Sequence, residues 1–513
     1  MKKRNTKSIL LGVMVLAVTV ALGGCQGDKK TEASETVNSS SEETTSGGRV
    51  VVGITQDLDS LDPHNVAYAG TREVLFNVFE GLVKASPDGG LVPAVAEDYK
   101  VSDDAKVYSF TLRDGITFHD GSPVTVEDIK YSIERYAEIL GESSAFSILE
   151  SVEAVDDKTV EIHLSEGSSE FITELTAAII PKNNQDPGKN PVGTGPFKYV
   201  SYTPGQGLIL EKYDGYWQEG IPYIDEAEFK IFGDTDAALM EMKSGSVDIM
   251  QYLSEDQAMA LGDGFNILEG NVNYVQGLFL NNQYGPLKDV RVRKALYYAV
   301  DRDLINEFLF SGKSHIIGTN MIPAFSKYYD AGTETLYSHD TAKARELLKE
   351  AGYEDGFSLE ITVPSNYPLH VSTAEVVVES LKEVGIHATI NQVEWTTWMS
   401  DVYQERNYEA TVVAVDGTLA PSSYFSKNVS TAKDNFTNYD NKAFDEIYTK
   451  AVASVDDDEK VQLYKQLQNI LAEDAASVYI QDPSNLVAVN SRLDGYVFYP
   501  IAAQDLSVVK FKE

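Results

Sequence analysis

The chain has a single cysteine, Cys25, in 513 residues. That excludes disulfides within the chain, iron–sulfur clusters and thiolate zinc sites. Basic residues are few: 42 Lys and Arg stand against 79 Asp and Glu, a net charge of −37. A surface this acidic repels nucleic acid and anionic lipid headgroups, which excludes both as charge-driven partners. Solubility is the plain use of the same charge. Catalytic signatures are also missing. There is no Gly-x-Ser-x-Gly and no His-Glu-x-x-His. The histidines, at 64, 119, 163, 315, 339, 370 and 387, never fall within four positions of one another. No local helical metal pair exists, and neither a metal nor a cofactor is expected. The stretch Ser311-Gly312-Lys313-Ser314 resembles the end of a phosphate loop, but Glu307 stands where that loop needs glycine. Gly193-Thr194-Gly195 lacks the third glycine of a dinucleotide site and is followed by Pro196, so a backbone turn is expected there. Tryptophan is rare, at three residues, whereas tyrosine reaches 29. Tyrosine offers a flat apolar face and a hydroxyl, which suits a wet pocket.

Long apolar runs are missing as well. The longest, residues 9–22, follows Lys2, Lys3, Arg4 and Lys7. A spanning helix needs ~20 apolar residues, so this run has the shape of a secretory signal instead. It closes on Leu22-Gly23-Gly24-Cys25, which resembles a bacterial lipoprotein processing site. The resemblance implies removal of residues 1–24 and lipidation of Cys25, hence a membrane anchor on the extracytoplasmic face. Two or three acyl chains hold a protein on a bilayer where one is marginal. Residues 25–48 are mostly Ser, Thr, Glu, Gly and Lys. They cannot bury enough surface to offset ordering entropy, so a flexible tether is expected.

The body from Arg49 is long enough for several layers of structure and 43% of the whole chain is apolar. A strand is expected at 49–54, then a helix capped by Thr71 and running through Phe79. Short alternating strands follow, 107–112 and 160–164 among them. Between them Thr125 and Asp128 form a capping pair for a helix with Ile129 and Ile133 on one face. After 289 helices and strands alternate. Asp289 and Asp340 cap two of the helices, and Gly352 and Gly385 end two. Strands are expected at 357–363, 386–393 and 409–415, then helices at 441–454 and 457–473 with the acidic run 456–459 as a first turn. The chain closes with strand-like 478–480 and 506–511. This alternation implies an open α/β sheet, in which ligands bind at the carboxyl ends of strands.

Several blocks are familiar together: Leu61-Asp62-Pro63, Phe79-Glu80-Gly81-Leu82, residues 108–129, Val192-Gly193-Thr194-Gly195-Pro196-Phe197, residues 213–224, and residues 287–301. In this order, behind a lipoprotein signal, they resemble the extracellular solute-binding proteins of peptide-type ABC importers, the family of dipeptide-, oligopeptide- and nickel-binding proteins. The resemblance implies an α/β, two-lobed, periplasmic-binding-protein-like fold. The first lobe would hold 49–270, with 88–188 inserted as a subdomain, and the second 271–480. Residues 481–513 would return to the first lobe, with crossings near 271–278 and 479–486 as a hinge. It further implies a receptor rather than an enzyme, expected as a monomer, that gives its ligand to a permease and ATPase. In peptide-binding relatives an aspartate after a second-lobe strand pairs with the ligand ammonium. Here Asp416 follows the strand expected at 409–415, although Ala420 replaces the usual acid, Pro421 comes one residue late and Val413 replaces a common tryptophan. A turn-starting role before Gly417 is the alternative for Asp416. Trp395, Trp398, Tyr68 and His64 are further ligand-site candidates. Binding of a nickel chelate, opine or oligosaccharide, and peptide sensing for signalling, are left open by the same residues.

Overall fold

Val50 and Val52 are buried, and their strand Arg49–Ile54 lies within a large sheet. The computed structural model describes residues 47–141 and 144–512; Cys25 and nearly all of the expected tether lie outside them. The first sheet runs Phe265–Asn271, Ser484–Asn490, Ile249–Leu253, Arg49–Ile54, Glu226–Ile231, Gly207–Lys212, Phe197–Thr203. Arg49–Ile54 is parallel to both neighbours and every other pair is antiparallel. Val74 and Leu75 of the helix Ala69–Leu75 join Val50, Val52, Phe229 and Val487 in one core. On a second cluster, Leu239 and Met242 of the helix Thr235–Ser244 pack with Met250 and Ala488. The first helix differs from expectation. It starts at Ala69 behind Tyr68, which makes no side-chain cap, and stops at Leu75. Thr71 lies inside it because its Oγ1 accepts the backbone N–H of Asp59 at 3.2 Å.

A four-stranded antiparallel sheet, in the order Ala96–Val101, Val107–Leu112, Thr159–Leu164, Leu149–Ala154, forms a subdomain on this lobe. Val107–Leu112 buries every second residue. The helix Val126–Leu140 starts from a capping box between Thr125 and Asp128 and ends at Gly141. Its Ile129 and Ile133 pack with Tyr108, Phe110 and Ile162.

The second lobe is a six-stranded sheet, His315–Ile316, Val478–Asp482, Val275–Leu280, Ala410–Val415, Ser358–Pro364, His387–Val393. Ser358–Pro364 is parallel to both neighbours, as the alternating helices require; the remaining pairs are antiparallel. Asp289 and Asp340 cap Val290–Ala299 and Thr341–Glu350. Asp456 caps Asp457–Glu473 by accepting from Glu459 N–H at 2.8 Å. Ser311 and Gly312 take positive φ and end the helix Arg302–Phe310. Lys313 then pairs with Glu255 and Glu269 at 2.8 and 2.7 Å, so this stretch is a helix terminus and not a phosphate loop. At Gly193 a Cβ would sit 2.1 Å from the Val78 carbonyl oxygen. That glycine permits a close backbone approach.

The chain passes between the sheets twice. Asn271 ends a strand of the first and Val275 begins one of the second; Asp482 and Ser484 mark the return. The passages are bonded together. Val272 N–H donates to the Pro483 carbonyl at 2.9 Å, Asn271 Nδ2 to the Asp482 carbonyl at 3.0 Å and Tyr274 N–H to Asp482 Oδ1 at 3.1 Å. The end of the chain differs from expectation. Only Lys510–Phe511 is a strand, paired with Leu493–Asp494, while Leu506 and Val509 enter the first-lobe core.

One buried charge crosses from the subdomain to the second lobe. Glu170 accepts from Tyr464 Oη and, at 3.0 Å, from Ser422 N–H, and lies 4.0 Å from Lys460 Nζ. Burial pulls the Lys460 ammonium below its usual range. Glu170→Gln keeps an acceptor for Tyr464 and removes the opposing charge. It should lower stability by about 1–3 kcal/mol. Unchanged urea midpoints would show that this contact contributes nothing.

Candidate ligand-binding cleft

Between the two sheets lies a cavity of about 400 Å³ whose walls come from widely separated stretches of chain. The first-lobe helix supplies Ala69, Arg72 and Glu73. The subdomain supplies Tyr136, Thr173, Glu174 and Thr176. Gln251, Tyr252 and residues 271–274 form the floor near the passages. Residues 416–419 face in from the second lobe, and Tyr496 with residues 498–503 closes one side.

The cleft lining mixes polar and apolar side chains. Its described walls contain three carboxylates, Glu73, Glu174 and Asp416, and one cation, Arg72. Glu73 is buried and accepts from Tyr252 Oη at 2.5 Å and Gln251 Nε2 at 3.4 Å. Burial outweighs these bonds and raises its pKa above the ordinary carboxylate value. Burial raises Glu174 likewise. Tyr252 reaches Glu73 from a left-handed backbone, φ 61°, at an irregularity in strand Ile249–Leu253. Such a conformation costs of order 1–3 kcal/mol in a residue that is not glycine. Asp416 is exposed and makes no hydrogen bond or ion pair among the described residues. It stands just beyond Ala410–Val415, at the carboxyl end of that strand. Gly417 must follow it, because a Cβ there would lie 2.4 Å from the Tyr424 ring. The Arg72 side chain is exposed and, among the described residues, makes a single long bond, 3.4 Å to the Val66 carbonyl. Five tyrosines line the walls: Tyr136, Tyr252, Tyr274, Tyr496 and Tyr499.

Of the residues expected at the ligand, Asp416 lies in these walls and Tyr68, Trp395, Trp398 and His64 do not. Tyr68 is half-exposed and precedes the lining Ala69. Trp398 is 2% exposed and belongs to the second-lobe core, its Nε1–H donating to Thr411 Oγ1 at 3.0 Å. Trp395 stacks on it, ring centres 5.0 Å apart, with Tyr367 against its edge. His64 uses both ring nitrogens: Nε2 meets the Ala178 carbonyl at 2.8 Å and Nδ1 meets Arg135 Nη1 at 2.7 Å. Arg135 is held in turn by Asp62. Burial lowers the His64 pKa to about 4, so the ring is neutral at pH 7. Nδ1 must therefore accept and Nε2–H donate.

Sequence reasoning missed Arg72, Glu73, Glu174 and the C-terminal wall. Adjacent opposite charges in a helix that also carries core residues were one available signal. The aromatic run Tyr496-Val497-Phe498-Tyr499 without strand alternation was another.

Two α/β lobes joined by two bonded passages over a polar cleft define a receptor of the periplasmic-binding-protein class. The chain belongs to the bacterial extracellular solute-binding proteins, family 5, whose middle-region model matches residues 90–437. Such proteins are transport receptors of ABC importers for peptides or related ligands, and not enzymes. The glutathione-binding protein GsiB of Salmonella typhi is 28% identical over 475 residues, 88% of this chain and 92% of that one. The ABC transporter substrate-binding protein CtaP of Listeria monocytogenes is 26% identical, with TM-score 0.81 over 91% of this chain and 100% of that one. AgaA of A. tumefaciens R10, solved with agropinic acid, is 28% identical, with TM-score 0.72 over 91% of this chain and 99% of that one. Among the described residues no helix is long and apolar enough to cross a membrane, and no group of three His, Cys, Asp or Glu could hold a metal.

Proposed function

We propose that this protein is a lipid-anchored extracytoplasmic receptor that captures short peptides and delivers them to an ABC importer permease. The observation that carries the reading is the placement of an unpaired acid, Asp416, and an arginine without an ion pair, Arg72, on opposite lobes of one cleft. A zwitterion needs one charge of each sign, and a desolvated charge is tolerated only beside an opposite one. Glutathione, the ligand named for the relative GsiB, is itself a tripeptide with an ammonium and carboxylates. In this reading Asp416 holds the ammonium, Tyr68 and Trp395 flank the mouth, and Trp398 and His64 support the walls from behind. Residues 271–278 and 479–486 form the hinge about which the 49–270 and 271–480 lobes close. The agropinic acid complex of AgaA favours a second reading, capture of a carboxylated small molecule that is not a peptide.

The test is ligand-dependent melting. A peptide at ~100 times its Kd should add ~2.7 kcal/mol to the folded state, because unfolded chain does not bind. Small-angle scattering should show compaction with the same peptide. Shifts with opine-type acids or nickel chelates, and none with any di- to pentapeptide pool, would replace this reading with the second.

Anchoring has its own test. Cys25 is the sole acceptor for the lipid, so Cys25→Ala should leave unprocessed precursor or released protein. A mature-sized Cys25→Ala species that still sediments with membranes would refute the anchor.

A further inference from the structure

A second cavity, about 220 Å³, adjoins the cleft, between the first lobe and its subdomain. The two share Arg72, Tyr136, Glu174, Thr176, Ile501 and Ala502, so they adjoin with these residues at the junction. The inner walls are mainly apolar: Leu75, Phe76, Phe79, Ala85 and Ala178. Polar groups among them already have partners. Glu80 accepts from Lys84 Nζ at 3.2 Å, Tyr216 Oη at 2.7 Å and Trp217 Nε1 at 2.9 Å. His64, whose ring packs 5.1 Å from Tyr136, is bonded at both nitrogens. A pocket whose polar atoms are satisfied asks no hydrogen bond of its occupant and rewards apolar surface. Its size is ample, since a dry cavity of about 150 Å³ is enough for a benzene ring. The junction is different. There Arg72 lacks an ion pair among the described residues, and Glu174, at the same mouth, is not within salt-bridge distance of it.

We infer that this side pocket is a specificity subsite for the bulky apolar side chain of a ligand's C-terminal residue, whose carboxylate pairs with Arg72 at the pocket mouth. The inference rests on the peptide reading above and deepens it. It follows from geometry: an anion partner and an apolar recess adjoin, as a carboxylate and a side chain do on one α-carbon. Asp416, on the other lobe, is left for the far end of the ligand.

The experiment compares peptides of two to five residues ending in Phe or in Ala, by calorimetry on the mature chain. Wild type should prefer C-terminal Phe by about tenfold or more. Ala177 lines the side pocket and not the main cleft. Ala177→Leu should erase that preference while leaving Ala-ending peptides within about threefold. Val66→Phe fills the same pocket from another wall and serves if the first variant is unstable. Amidating the C-terminus should weaken wild-type binding about tenfold or more and weaken Arg72→Gln little further, because the interaction is already gone. Equal affinity for the Phe and Ala peptides, an unchanged preference in both pocket variants, or an amide penalty that persists in Arg72→Gln would each overturn the subsite and leave the peptide reading standing. Failure of every peptide to bind wild type would overturn both.

Discussion

Asp416→Asn should weaken peptide binding by about a hundredfold to a thousandfold or more while leaving the fold intact. The expectation follows from charge in a closing cleft. Asp416 is exposed in the present arrangement and has no side-chain partner among the described residues. Closure around a peptide would take its ammonium out of water, and that ion must then meet an opposite charge with further hydrogen bonds. Glu73 is a poor alternative, since it is already engaged by Tyr252 and its burial favours the neutral form. Removing one member of a buried pair costs ~3–5 kcal/mol, or ~10²–10³-fold or more in Kd. Asparagine keeps the shape and one acceptor, so the Gly417 turn and its contact with Tyr424 should survive. N-acetylated peptides should lose a similar factor on wild type. Calorimetry decides: if the variant and the acetylated ligand both bind within a few-fold of the parent pair, the ammonium is held elsewhere and Asp416 only starts a turn.

What could be read in advance depended on whether the signal was local. The capping box at Thr125 and Asp128, the caps Asp289 and Asp340, and the alternation in Val107–Leu112 are contained within a few residues, and each has the expected role. The acidic run 456–459 does begin a helix, with Asp456 as its cap and not inside its first turn. Thr71 had the right chemistry for a cap, but Asp59, twelve residues away, claims its hydroxyl. Two interior strands, one from each sheet, gave no such signal. Val275–Leu280 is buried at every position, and Ser484–Asn490 at all but its ends. A strand covered on both faces has no two-residue period to detect. Asp416 was legible through family resemblance because it follows a strand with its own local pattern. Arg72, Glu73 and Glu174 were not, because their meeting depends on the inserted subdomain and the returning C-terminal segment. Trp398 misled for the opposite reason. A rare tryptophan near the expected ligand strand looked like a pocket wall, yet Thr411 satisfies its N–H inside the core.

Asp482→Asn should change the pH dependence of stability more than any other single carboxylate replacement proposed here. Asp482 is 1% exposed and stands where the chain returns from the second sheet to the first. Oδ1 accepts from Tyr274 N–H, on the other passage, while Oδ2 has no partner among the described residues. The facing groups are Tyr329 and Tyr424, and His315 is its neighbour across the strand pair; no cation pairs with it among the described residues. Burial therefore dominates and pushes its pKa from 3.8 to about 8. Below pH 4 the carboxyl is protonated in folded and unfolded chains alike and costs nothing. Between pH 4 and pH 8 the unfolded chain gives up this proton and the folded chain keeps it. Stability then falls with rising pH at up to about 1.4 kcal/mol per unit, approaching roughly 5 kcal/mol in all. Asparagine has no such proton and still offers an oxygen to Tyr274. The stability of wild type relative to Asp482→Asn should therefore drop steadily from pH 5 to pH 8 and level off above. Denaturation midpoints for both proteins across that range are the measurement, and parallel curves would mean that Asp482 ionises normally. The same neutral carboxyl bonds one passage between the lobes to the other. Ionisation keeps that bond but leaves an uncompensated buried charge, which only local opening of the passages can hydrate. Protection factors of amides near Tyr274 and Ser484, taken relative to the base-catalysed intrinsic rate, should therefore fall above pH 8 in wild type and not in the variant.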